Sequence, residues 1–355
     1  MLKKYLSKYK GIKVLVTGST GFKGAWLSYW LHILGAKVIG VGLKPEKGSI
    51  IFKSLNLKRK IKQHYLNIND FKKINRVIEK NRPRIIFHLA AQSIVSESFL
   101  TPLNTFNTNV IGSINILESF KKNKILSLVY ITSDKCYLNL DKNKNFKEND
   151  TLGGIDNYSA SKACAEIAFN SYHNSYFKQK NLIAVTARAG NVIGGGDLKQ
   201  NRIIPDVIRS IKTKKNIILR SPNATRPWQH VLEPLSGYLL LGSKLMSKKI
   251  GNKFKPNWNF GPNPKNSKKV IYIVKKFLEN WNFKNKIIIN KKINYHESKL
   301  LSLNINKAKT ELGWKPRLSF EETVKLTSDW YKAFLDNKNL ESITHNQIKF
   351  YLSKK

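Results

Sequence analysis

The 355-residue chain reads as an α/β protein: a doubly wound parallel sheet with a smaller mixed α/β C-terminal region. Two observations predict it. An apolar run, Ile12, Val14, Leu15 and Val16, ends in three glycines spaced three apart, and a helical apolar face follows. After that start, buried-strand patterns alternate with helical ones as far as Gly190.

The first unit is Ile12–Gly24, IKVLVTGSTGFKG. Gly18, Gly21 and Gly24 form the turn, and Phe22, Trp26, Leu27, Trp30, Leu31, Ile33 and Leu34 form the apolar face of the helix behind it. A strand, a glycine turn and a helix together offer backbone N–H groups and a positive helix end to a pyrophosphate. A Cβ there would block the turn or hold phosphates away. The spacing is GxxGxxG, not GxGxxG, and glycines also serve any tight βα turn; the flanking strand and helix favour dinucleotide binding of the Rossmann kind.

Lys37–Leu43 is the second strand. An acidic residue near that strand's end takes the ribose hydroxyls in NAD-binding folds. Here Leu43 is followed by Lys44, which suits a 2′-phosphate or a solvated loop, so the choice between NAD and NADP stays open. Gly48–Gln63 reads as a loop with a short helix, and Tyr65–Ile68 as a short strand. Asp70 suits the N-cap of a helix over Phe71–Asn81. Arg84–Leu89 is a buried strand entering Ala90-Ala91-Gln92, whose small residues allow a ligand close to the backbone. A long helix spans Pro102–Lys122 and carries Asn109 and Gly112. Leu126–Ile131 is a strand ending in Thr132-Ser133-Asp134-Lys135. Asp141–Asp150 is a loop, Asn157–Tyr172 a helix, and Leu182–Ala187 a sixth strand ending in Arg188-Ala189-Gly190-Asn191.

After Gly196 the alternation fails. Pro205, Pro222, Pro227, Pro234, Pro256, Pro262 and Pro264 punctuate short mixed segments. The expected division is residues 1–190, with 229–261 returning to the main sheet, and a second domain from 191–228 and 262–355. The returning strand is placed at Trp258–Gly261.

Composition narrows the class. Cys136 and Cys164 make no disulfide framework and show no metal-ligand spacing, so a reducing compartment and no metal are expected. The N-terminus, MLKKYLSKYK, is basic without an apolar run behind it, and no stretch nears the roughly 18 apolar residues of a membrane span. A cytoplasmic protein with no membrane partner is the expectation. The net charge of +42 is spread along the chain and not gathered in a block, which argues against a nucleic-acid partner. Such a field still attracts a dianionic substrate.

Tyr158 and Lys162 lie four apart on a helix and share a face. A neighbouring ammonium, with a positively charged nicotinamide, would ease a phenol toward its ionised form. Ser133, at the carboxyl end of a strand, is placed to hydrogen-bond the same substrate oxygen. Together they suit removal of an alcohol proton while hydride leaves its carbon. YxxxK alone is common by chance; the glycine turn and the serine-ended strand give it context.

At these residues the chain resembles the extended short-chain dehydrogenase/reductase family, and within it the CDP-glucose 4,6-dehydratases. The likeness runs over nearly the whole length through VTGSTGFKGAWLS (Val16–Ser28), FHLAAQ (Phe87–Gln92), ITSDKCY (Ile131–Tyr137) and YSASKACAE (Tyr158–Glu166). It continues through ARAGNVIGGGD (Ala187–Asp197), RIIPD (Arg202–Asp206), RPWQHVLEP (Arg226–Pro234) and LGWKPR (Leu312–Arg317). The resemblance implies a lyase making CDP-4-dehydro-6-deoxyglucose for surface polysaccharides such as the O-antigen of lipopolysaccharide. Tyr158, with Ser133 and Lys162, would serve oxidation at C4. Asp134 would be the acid for the departing 6-hydroxyl, and Lys135 stands where dTDP-glucose dehydratases carry a glutamate base.

The resemblance further implies that Gly18, Gly21, Phe22 and Gly24 face the pyrophosphate of NAD. Asn67 and Ile68 would lie near the adenine, and Leu89, Ala90 and Ala91 along the ribose and nicotinamide, with Tyr158 and Lys162 at its reactive end. Lys44 and Asn67 depart from the usual aspartates. Asn109, Asn191, Arg202, Arg226 and Glu297 are the expected substrate-binding residues, and a homodimer or homotetramer the expected assembly, through the helices Pro102–Lys122 and Asn157–Tyr172. Trp228 and His230 are read equally as functional or as core residues. Two other readings compete: an epimerase or a dehydratase for another nucleotide sugar, and a non-catalytic basic binder of nucleic acid. Asp134-Lys135 weighs against an epimerase, and the Ser133, Tyr158, Lys162 set against a mere binder.

Overall fold

The computed structural model describes residues 2–45, 50–140, 144–180, 182–247, 255–263, 266–279, 281, 283, 286–290 and 301–354. Its main sheet has seven strands: β1 (Lys13–Thr17), β2 (Lys37–Gly42), β3 (Lys62–Tyr65), β4 (Ile85–His88), β5 (Ser127–Ile131), β6 (Ile183–Arg188) and β7 (Asn257–Asn259). All are parallel, in the spatial order β7-β6-β5-β4-β1-β2-β3. The order reverses between β1 and β4, and open α/β sheets bind ligands at the carboxyl ends of the strands there.

Alternate residues of each strand feed two separate cores. Val14, Val16, Ile85, Phe87, Val129, Ile131, Val185 and Ala187 face one. Leu15, Ile39, Val41, Ile86, Leu128, Tyr130 and Ala184 face the other. Burial on both faces is why these strands read as continuous apolar runs. Four helices cover the first face: α1 (Phe22–Ile33), α5 (Leu232–Met246), α6 (Phe320–Leu335) and α7 (Leu340–Ser353). The second face carries α2 (Phe71–Asn81), α3 (Gly112–Lys122) and α4 (Asn157–Tyr172). Trp26 and Trp30 of α1 are fully buried; truncating either to alanine would cost about 3–5 kcal/mol.

Caps start the helices where the sequence predicts. The Asp70 carboxylate accepts from Lys73 N at 3.0 Å, and Asp156 accepts from Ser159 N at 2.9 Å to open α4. Three expectations are corrected. The strand expected at Tyr65–Ile68 lies at Lys62–Tyr65, where it pairs with β2 at the sheet's edge and tolerates polar side chains. Asn67 instead makes a turn, accepting from Asn69 N at 2.9 Å. The segment before it holds two short helices, Ile50–Ser54 and Leu57–Lys60, where one was expected. The helix over 102–122 is interrupted by a π turn, Asn107–Ile111.

The loop expected at Asp141–Asp150 contains a two-residue strand, Asn145–Phe146, which pairs with Ser302–Leu303. Beyond β6 the chain makes short ladders, 192–193 with 229–230, 217–219 with 287–289, and 225–227 with 267–269. It then re-enters the main sheet as β7, with Trp258 opposite Ala187. Among the described residues no helix is long and apolar enough to cross a membrane.

Candidate active site

Two of the turn glycines are dictated by the protein's own packing. Gly18 has φ +72, and a Cβ on it would sit 2.8 Å from Ala90 N. One on Gly24 would sit 2.0 Å from Gly18 O. Gly21 differs: it is exposed, its φ is −82, and a Cβ would meet only Gly18 O at an ordinary 3.4 Å. A Cβ is accommodated there, so the turn at Gly21 is open to solvent at the first turn of α1, the kind of helix end that suits a pyrophosphate. Phe22 lies against Gly194, and Leu89, Ala90 and Ala91 are half-buried along the end of β4. The adenosine end is less defined: Lys44 and Asn67 are exposed, and Ile68 is buried against Gly112.

The chemistry-bearing turn follows β5. Ser133 Oγ donates to Asp134 Oδ1 at 2.9 Å and accepts from Lys135 N at 3.3 Å. Asn191 Nδ2 approaches Asp134 Oδ2 at 3.4 Å. The Asp134 carboxylate is 3% exposed and occupies the space a Gly190 side chain would take, its oxygens 1.9 and 2.2 Å from that Cβ position. Gly190 is glycine because Asp134 is there. Lys135 lines a small cavity with Tyr137, Asn139, Asp156 and Ser159.

Tyr158 and Lys162 face this turn from α4. Ser133 lies close enough to the Tyr158 phenol to favour its ionised form, and Lys162 Nζ lies 5.9 Å from the Tyr158 ring centre. Burial pushes Tyr158 up to about 12, against the lowering effect of the Ser133 hydrogen bond. Burial, helped by Lys23, pulls Lys162 down to about 8. Desolvation thus outweighs the groups that ease the phenol, Ser133 and Arg202, and Lys162 is not among them in the protein alone.

Lys23 was not singled out by the sequence reading. It stands between the glycines of the turn, and burial pulls it down to about 8, with Asp134 acting the other way. His88 was missed too. Its Nδ1 is 2.7 Å from Thr17 Oγ1 and its Nε2 2.9 Å from Ser113 Oγ, and burial, with Lys162, pulls it down to about 3. It is a neutral strut beneath the site; its place at the end of a buried strand was the available signal.

Asn109, expected among the substrate-binding residues, is held by the protein's own groups. It is fully buried in the π turn, accepts from Gln92 N at 2.9 Å, and donates to Gln92 O at 3.0 Å and Ser161 Oγ at 2.9 Å. It thus ties the Ala91-Gln92 loop to the catalytic helix. Arg202 donates to Asp197 at 2.5 Å and to Ser93 Oγ at 2.9 Å, bridging the C-terminal region to the same loop. Arg226 is buried on the strand Thr225–Pro227, donating to Thr225 O at 3.1 Å. Asn191 adopts a left-handed φ of +51. Trp228 and His230 take core positions, His230 edge-on to Trp26 at 5.9 Å. Glu297 lies outside the described residues.

The structure therefore gathers Ser133, Asp134, Tyr158, Lys162 and Asn191 beside the glycine turn, at the carboxyl ends of β1, β4 and β5. Residues 15–327 match the family model described as GDP-mannose 4,6 dehydratase. The chain is 39% identical to CDP-glucose 4,6-dehydratase of Salmonella typhimurium, covering 97% of each chain. Among solved structures it is similar in fold to an epimerase of Methanothermobacter thermautotrophicus (TM-score 0.83, 24% identity, 95% and 97% covered). It is also similar to a dTDP-glucose 4,6-dehydratase of Bacillus anthracis, solved in complex with NAD (TM-score 0.74, 22% identity, 93% and 100% covered). With the glycine turn, the Ser133–Asp134–Lys135 turn and the Tyr158–Lys162 face assembled on one parallel sheet, the chain belongs to the GDP-mannose 4,6 dehydratase family of extended short-chain dehydrogenase/reductases, a family of nucleotide-sugar dehydratases.

Proposed function

We propose that the protein converts CDP-glucose to CDP-4-dehydro-6-deoxyglucose with NAD. The observation that carries this is the hydrogen bond of Ser133 to Asp134 at 2.9 Å, beside the buried Tyr158 phenol. An acid is thereby joined to the oxidation set, which an epimerase does not need. The relative that is 39% identical supports the nucleotide. NAD held at the turn of Gly18, Gly21 and Gly24 would supply the hydride acceptor for C4 and the hydride donor for C6.

The residues divide the remaining work. Tyr158 takes the proton of the 4-hydroxyl, while Ser133 holds the same oxygen. Ser133 and Arg202 oppose the burial that keeps the phenol protonated, and Lys162, 5.9 Å from its ring centre, stands beside it. Once C4 is a ketone, the C5 proton is acidic. Lys135, in its neutral form, removes it, and Asp134 protonates the departing 6-hydroxyl. A carboxyl so enclosed, with Gly190 against it, is shielded from bulk water. Arg202 and Arg226, forked donors, hold the diphosphate with Asn191.

Residues 1–190 with 229–261 would bind the cofactor, and 191–228 with 262–355 the nucleotide sugar. The proposed cofactor is NAD, the group bound in the dTDP-glucose 4,6-dehydratase of similar fold, with NADP the alternative that Lys44 raises. A cytoplasmic homodimer is proposed, joined through exposed Leu100, Leu103, Ile111 and Ile167. Its product would feed surface-polysaccharide synthesis.

The test is an assay of purified protein against CDP-, dTDP-, UDP- and GDP-glucose, with deuterium at C4. The expected result is a 4-keto product from the CDP sugar carrying that deuterium at C6. Loss of the label to solvent, or an epimer as product, would overturn the reading.

A further inference from the structure

Glu166 and Arg188 form an ion pair at 2.7 Å, with side chains 0% and 1% exposed. Neither touches the reacting groups, yet their partners lie on both sides of the catalytic turn. The Glu166 carboxylate accepts from Thr132 Oγ1 at 2.5 Å, Thr186 Oγ1 at 3.1 Å and Asn257 Nδ2 at 3.2 Å, besides Arg188 Nε at 2.9 Å and Nη2 at 2.7 Å. Arg188 Nη1 donates to Tyr137 Oη at 2.7 Å and to Glu148 O at 2.9 Å. Tyr137 Oη in turn donates to Asn259 Oδ1 at 2.8 Å.

Thr132 immediately precedes Ser133-Asp134-Lys135, and Tyr137 follows that turn with only Cys136 between. One partner of the pair grips the turn before it, the other after it. Glu166 also lies on the helix face of Tyr158 and Lys162, one and two turns along α4. The same carboxylate is thus fixed to the element that carries the oxidation set and bonded to the turn that carries the elimination set. β6 and β7 supply the anchors on the far side, through Thr186, Arg188, Asn257 and Asn259. Buried ion pairs seldom add net stability over apolar packing, but they impose direction and distance.

We propose that the Glu166–Arg188 pair sets the spacing between the Tyr158–Lys162 helix and the Ser133–Asp134–Lys135 turn, and so keeps sugar oxidation and water loss in step. Both are positioning residues. This rests on the dehydratase reading above. Burial alone would raise the Glu166 carboxyl, but Arg188 and the hydrogen bonds outweigh it, so the pair stays ionised.

Removing either charge would strand the other inside the protein, so the test cuts single outer bonds. Thr132→Val severs the Glu166 side, and Tyr137→Phe severs the Arg188 side while keeping the ring stacked on Phe146. Each is compared with wild type by melting curve, by single-turnover C4 oxidation read as reduced-cofactor absorbance, and by 4-keto product formation. A misplacement near 1 Å costs about 10²-fold, so elimination should fall about that much while oxidation falls by about threefold or less. Reduced cofactor then accumulates during turnover. Thr132→Ser keeps the hydroxyl and should restore the wild-type ratio.

Folded variants that eliminate water at the wild-type rate would overturn the proposal. So would oxidation and elimination falling together. If Thr132→Val does not fold, Tyr137→Phe decides. A wild-type protein that acts on no sugar nucleotide sinks the dehydratase reading instead, which keeps the two failures apart.

Discussion

The groups at the ends of β1, β4 and β5 are framed by main chain, whereas the groups contributed from beyond residue 190 are framed by side chains. Gly18 and Gly24 are pressed against backbone atoms, and Gly190 against the Asp134 carboxylate. Arg202, by contrast, is steadied by Asp197 and Ser93, and the chain near it turns through Asn191 and Asn201, asparagines in left-handed conformations. A main-chain frame leaves few substitutions open. A side-chain frame can be exchanged piecewise, so substrate preference can change beyond residue 190 while the chemistry stays fixed.

That contrast makes graded predictions. The largest effect belongs to Tyr158→Phe, which removes the base: kcat should fall about 10³-fold with substrate affinity nearly unchanged, measured by turnover and by calorimetric titration. Turnover at the wild-type rate would take Tyr158 out of the mechanism. Next comes Gly190→Ala. Its Cβ would displace the Asp134 carboxylate, and kcat should fall about 10²-fold in a protein with an unaltered circular dichroism spectrum. Lys135→Met should be comparable, but with cofactor reduction intact and elimination stalled.

Arg226→Ala probes the other side of the comparison. Losing a charged hydrogen bond to a diphosphate is worth about 1.5–3 kcal/mol, so KM should rise about tenfold or more with kcat held. If kcat falls there as far as in Gly190→Ala, the division between the two frames fails. The smallest effect concerns stability. Glu233 on α5 is buried and accepts from Arg317 N at 2.8 Å, Leu318 N at 2.7 Å and Tyr351 Oη at 2.7 Å. Burial pushes its carboxyl up from 4.5 to about 7, against those hydrogen bonds. A folded-state value above the unfolded one means stability that is full below about pH 4.5 and lost as pH rises through about 7. Melting curves from roughly pH 5 to pH 8 should slope downward in wild type and flatten in Glu233→Gln. An identical slope in the variant would remove Glu233 as the source.

What the sequence reveals follows the same contrast. β1, β4, β5 and β6 are legible because both their faces are covered, leaving runs dominated by β-branched and aliphatic residues. Edge strand Lys62–Tyr65 is not, because an outer strand with half-buried faces needs no such run. The π turn at Asn107–Ile111 inserts a residue without altering composition, so Asn109 reads as a helix-face residue and its buried crosslink stays hidden. Ser133, Tyr158 and Lys162 are legible because strand end and helix face follow from local pattern. Glu166 and Arg188, 22 residues apart on different elements, read locally as ordinary charges. Their meeting is a product of tertiary packing alone.

The late return of β7 governs how this chain is made. Until residues 257–259 arrive, the main-chain groups of β6 that pair with Asn257–Asn259 have nothing to bond, including Thr186 N, which donates to Pro256 O, and Arg188 O, which accepts from Phe260 N. A nascent chain leaving the ribosome therefore carries an open, apolar sheet border for about 70 further residues of synthesis. At ordinary elongation rates that is several seconds of exposure. Fragments ended near residue 190 should accordingly clump or recruit chaperones more readily than the full chain.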